Sequence, residues 1–83
     1  MMLFLLTADL EQRSDTYTGL LEALRELSAV QVLADAWVFR SPRTVVHLLE
    51  HFRELTGTDD RLMLVHLGDS FAWANLMGDP GEV

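Results

Sequence analysis

The sequence predicts a small α+β domain, and three observations carry that reading. Short apolar runs of strand length alternate with two segments whose apolar residues recur at helical spacing. Turn-forming residues separate the segments. Apolar residues make up 49% and charged residues 23%, a composition that can form a packed core.

Met2–Ala8 is a continuous apolar run that stops at Asp9. Its length suits a buried central strand better than a helix. The polar stretch Glu11–Asp15 connects it to the first helix, with Ser14 as the expected N-cap. Tyr17, Leu20, Leu21, Leu24 and Leu27 then form one apolar stripe, while Glu22, Arg25 and Glu26 face outward. Gly19 weakens this helix by about 1 kcal/mol.

Val30–Arg40 reads as two strands, Val30–Ala34 and Ala36–Arg40, joined tightly near Asp35; one long bent strand is the alternative. Ser41-Pro42 reads as a helix start, with Ser as cap and Pro in the first helical position. Val45, Leu48, Leu49, Phe52 and Leu55 make the second stripe, which Gly57 ends. Arg61–Leu67 is the last long strand, followed by a turn at Gly68-Asp69. Phe71–Leu76 is expected to add a fifth strand, with a helical turn as the alternative. Residues 1–77 form one domain and the turn-rich residues 78–83 a loose tail.

The resulting order is βαββαβ, the ferredoxin-like or split βαβ arrangement. Two helices cover one face of a mostly antiparallel sheet, and the other face is left open for a second subunit or a ligand. At 83 residues the chain lies just above the size at which one core rarely gives more than about 3–5 kcal/mol. A homodimer is therefore expected.

There is no cysteine, so disulfide scaffolds, cysteine–zinc sites and thiol catalysis are excluded. The apolar start spans six residues and lacks a basic flank, unlike a signal peptide or membrane span. The expected setting is the cytoplasm, without membrane attachment. The net charge is −7, with six arginines and no lysine, which disfavours broad contact with a phosphate backbone. An acidic surface also suits a basic protein partner or a divalent cation.

His47-Leu48-Leu49-Glu50-His51 matches an H-x-x-E-H pattern, but only 32 residues follow it, too few for a third ligand helix and a substrate chamber. Both histidines are expected on the solvent side of the second helix. Asp59-Asp60 reads as turn chemistry. Trp37 and Trp73 read as core or interface residues, with base stacking as the alternative. Arg13, Arg40 and Arg43 are candidates for an edge that contacts nucleic-acid phosphate. Asp9 stands apart, as a carboxylate at the end of the expected central strand. Two such residues from two subunits could share Mg²⁺ or Mn²⁺, which prefer carboxylate oxygens and can activate water.

Thr7-Ala8-Asp9-Leu10 after an apolar strand resembles the strand-then-Asp signature of the CRISPR-associated Cas-two family and its VapD-like and SinR-like relatives. The helix with Tyr17, Leu20 and Leu24 follows in the same order, as do Asp35–Ser41, Asp60-Arg61-Leu62 and Phe71-Ala72-Trp73. The SinR-like group is the most similar, and the likeness spans nearly the whole chain. It implies a ferredoxin-like homodimer in which Phe71–Met77 adds to the partner's sheet, with Phe71, Trp73 and Leu76 at the interface. It also implies Asp9 as catalytic metal ligand of a Mg²⁺- or Mn²⁺-dependent nuclease, an endoribonuclease, in a defence or toxin–antitoxin system, with RNA or DNA as the nucleic-acid partner. The acidic charge and sparse cations support the alternative, a non-catalytic dimeric scaffold that holds a protein partner from the same operon.

Overall fold

The computed structural model describes residues 1–13 and 16–83, and the expected cap Ser14 lies outside them. The elements follow the order β1 (Met2–Asp9), α1 (Thr18–Glu26), β2 (Val30–Leu33), β3 (Ala36–Ser41), α2 (Val45–Glu54) and β4 (Arg61–His66), with a 3-10 turn at Pro80–Glu82. The four strands form one sheet in the order β2-β3-β1-β4, and every neighbouring pair is antiparallel. This α+β architecture, with its two helices, is compatible with a ferredoxin-like arrangement. No helix among the described residues is long and apolar enough to cross a membrane.

Strand alternation splits β1 between two cores. Phe4, Leu6 and Ala8 face the helices and join Leu20, Ala23 and Leu24 of α1, Leu48 and Phe52 of α2, and Trp37 and Phe39 of β3. Phe39 is the aromatic hinge of this core, 5.7 Å from the Phe4 ring and 5.8 Å from Phe52. Leu3 and Leu5 point to the other face. There Val32, Ala36 and Val38 form a second cluster, covered by Leu67, Leu76 and Val83.

That cover corrects one expectation. The second face is not left wholly open, because residues 67–83 fold back across β2 and β3. Gly78 makes the close approach possible: a Cβ there would lie 2.6 Å from the Gln31 carbonyl oxygen and 2.5 Å from Val30 Cγ1. Residues 78–83, read as a loose tail, run beside the sheet with Pro80 buried. Residues 71–76 form no strand. Asn75 adopts φ 56°, a left-handed conformation that Asn tolerates and that interrupts extended backbone. Just beyond it, the Met77 amide donates to the Val32 carbonyl at 2.8 Å.

The second helix also starts later than Ser41-Pro42 predicts. Ser41 closes β3, buried, and its Oγ accepts from the Arg43 amide. The cap is Thr44, whose Oγ1 accepts from the His47 amide at 3.2 Å. Pairing of β3 with β1 continues through Met2 and Ser41, so the strand claims the residue that would have begun the helix.

Candidate functional site

Asp9 ends β1, a central strand, as expected. The ladder sets it opposite Arg61, and Arg61 Nη1 lies 3.4 Å from Asp9 Oδ2. Both side chains are largely exposed, at 73% for Asp9 and 83% for Arg61. Such a pair contributes about 0–1 kcal/mol and holds neither side chain rigidly. Asp9, Glu11, Asp59 and Arg61 line one shallow hollow at this end of the sheet.

The most buried carboxylate nearby is Asp60, only 4% exposed. Its Oδ1 accepts from the Glu11 amide at 2.7 Å and from the Tyr17 hydroxyl at 2.7 Å. Its Oδ2 accepts from the Gly57 amide at 2.6 Å. One side chain thus ties the loop after β1, the entry to α1 and the loop before β4. The Glu11 amide holds the Asp60 carboxyl below its ordinary pKa; burial opposes this, and the Gly57 amide, the Tyr17 hydroxyl and the Arg53 charge reinforce it. Burial pushes the Tyr17 hydroxyl up, as does its bond to Asp60. Turn chemistry was legible at Asp59-Asp60, but the bonds to Glu11 and Tyr17 cross 49 and 43 residues and left no local signal.

The three candidate arginines do not meet at Asp9. Arg40 pairs with Leu3, six residues back along β1, so its backbone lies about 20 Å away. Its Nε donates to the Val83 carbonyl at 3.0 Å. Arg43 lines a groove between the helices with Glu26, Leu27, Pro42 and His51. Arg13 lies in the loop after β1, where its carbonyl accepts from the Thr16 amide and hydroxyl. His47 is exposed, whereas His51 is half-buried beside Phe52. Among the described residues, no group of three or more His, Asp or Glu side chains could hold a metal ion. A cation at Asp9 would lie beside the Arg61 charge.

No protein-family model, curated protein or solved structure matches the chain.

Phe71 and Trp73 lie against each other with their rings tilted by 34° and centroids 5.6 Å apart, and stay 39% and 51% exposed. They border a hollow with Leu3, Arg40, His66 and Leu67. Leu76 is half-buried against the second cluster of its own chain. From that hollow a partly buried strip follows the β1–β4 pair through Leu5 and Val65, then Thr7 and Met63, to the exposed Asp9 and Arg61. Met63 is 60% exposed.

Proposed function

We propose that the chain is a dimeric interaction module, Cas-two-like in its ferredoxin-like build, that holds a protein partner in a prokaryotic defence or toxin–antitoxin setting and does not cleave nucleic acid. The observation that carries this reading is the state of Asp9. Its carboxylate is exposed and already faces the Arg61 cation, while Arg40 and Arg43 lie near the far end of the sheet. A nuclease needs the reverse: a bare, fixed carboxylate for the metal, and cations gathered beside it for phosphate. The −7 charge supports the same reading, because it suits a basic protein surface better than RNA.

A second reading, a Mg²⁺- or Mn²⁺-dependent endoribonuclease, draws on the hollow bordered by Asp9, Glu11 and Asp59. One experiment separates the two. Wild type and Asp9→Ala are incubated with single-stranded RNA and Mg²⁺ or Mn²⁺ at matched purity. The module reading expects the same background from both. Metal-dependent cleavage by wild type that Asp9→Ala lacks overturns it.

A further inference from the structure

We propose that two copies join through β4, edge to edge, into one continuous eight-stranded antiparallel sheet with Leu64 on the two-fold axis. This rests on the dimeric reading above and specifies its interface.

The two edges of the sheet differ. The β2 edge is blunted twice. Its pairing with β3 carries a register shift between Gln31 and Leu33, and the C-terminal arm bonds to it through Met77. The β4 edge has neither device. Its six pairs with β1 run in unbroken register, and it ends the sheet. Residues 61–68 contain no proline and no acid, and their charged or titratable side chains are Arg61 and His66 alone. A regular, apolar, acid-free edge is a template for another strand.

The hydrogen-bond parity fixes which groups are free. The Leu67 amide donates to the Leu3 carbonyl, and the Ala8 amide to the Asp35 carbonyl. Odd residues of β1 therefore bond toward β4, and even ones toward β3. On β4 the backbone groups of Arg61, Met63 and Val65 turn inward, and those of Leu62, Leu64 and His66 turn outward. A two-fold partner must pair even residues with even residues. Among such registers, the one centred on Leu64 overlaps the whole of residues 61–67.

This register is also self-complementary in its side chains. Leu64 meets Leu64, and Leu62 meets His66, on the helix side. Met63 meets Val65 on the open side, covering the exposed Met63. Arg61 comes opposite Leu67 of the second copy, two residues from its Asp69, so opposite charges approach at both ends. A copy that is acidic overall can therefore dock along an edge that carries no acid.

The chain has no cysteine, so engineered ones report cleanly. Met63→Cys and Val65→Cys are prepared singly, checked for wild-type urea melts, mixed in equal amounts and oxidised. Positions 63 and 65 face each other as a non-hydrogen-bonded pair, whose side chains approach closely enough for a disulfide. The proposal expects the mixed disulfide dimer well above its statistical share, and slow cross-linking of each variant alone. A second measurement is His66→Pro, which removes an outward amide on each copy without touching the β1 ladder. The dimer should weaken about thirty-fold, two hydrogen bonds at roughly 1 kcal/mol each. Preferential cross-linking of either variant with itself overturns the register and with it the proposal. A dimer mass by light scattering without cross-linking moves the interface elsewhere and leaves the dimeric module standing. A monomer at all concentrations overturns both.

Discussion

Gly78→Ala tests whether the C-terminal arm lies on its own sheet. The added Cβ would sit 2.6 Å from the Gln31 carbonyl oxygen and 2.5 Å from Val30 Cγ1. Ordinary contact begins near 3.4 Å, so about 0.8 Å must be absorbed, and a carbonyl within a strand cannot rotate away. The arm must lift. Lifting removes the Met77–Val32 hydrogen bond, about 1 kcal/mol, and much of the half-buried packing of Leu76, about 1–2 kcal/mol. The sum, about 2–3 kcal/mol, agrees with the usual cost of overpacking. Opposing it, Gly→Ala stiffens the unfolded chain by about 0.4–1 kcal/mol. Gly68→Ala cancels that contribution, because a Cβ at Gly68 meets nothing within 4 Å and neither glycine has positive φ. Urea melts of both variants by circular dichroism should separate them by about 2–3 kcal/mol, and thermal melts by roughly 8–24 °C in Tm. Equal stability of Gly78→Ala and Gly68→Ala refutes the placement of the arm.

Thr44→Ala should cost about 1 kcal/mol in a urea melt, because Thr44 and not Ser41 caps α2; no change would return the cap to Ser41. Asp60→Asn should destabilise the fold at pH 7, since an amide presents only one acceptor oxygen to three donors. The folded Asp60 carboxyl titrates below its ordinary value of 3.8, so its contribution is complete above that pH and fades as pH falls through the lower folded value. Acid melts of wild type should therefore lose stability below pH 3.8 by more than Asp60→Asn does, and parallel acid profiles would exclude Asp60 as the cause. Asp9→Ala and Arg61→Ala should each shift stability by no more than about 1 kcal/mol, as for other exposed pairs, and a double-mutant cycle measures the coupling directly.

Much of the fold was legible because alternation and helical spacing are local signals. The stripes through Leu20 and Leu24 and through Leu48 and Phe52 do face the core, and Met2–Ala8 does form a central strand. Val45, by contrast, is 38% exposed, as the first residue of α2. Ser41-Pro42 misled because a cap signal and a strand end look alike when the strand's partner, Met2, is distant in sequence. The arm was illegible for a related reason. Residues 71–76 have strand-like composition, but Asn75 turns left-handed and Leu76 finds its cover on Val32 and Val38, some forty residues earlier. Asp60 carries three bonds, of which only the one to Gly57 is local.

The edge-paired dimer and a metal shared between two Asp9 side chains exclude each other. Asp9 is level with Arg61, three residues from an axis at Leu64. Two copies related by that axis hold their Asp9 residues about 20 Å apart along the strands, before the spacing between strands is added. A shared Mg²⁺ or Mn²⁺ needs carboxylate oxygens within about 2.0–2.6 Å of one ion. A disulfide between positions 63 and 65 of two copies would thus do more than locate an interface. It would confine each Asp9 to its own Arg61, which is the arrangement expected of a binding module. A metal-bridged Asp9 pair would instead require the two sheets to meet near the Asp9 end, leaving Leu64 of each copy off the axis.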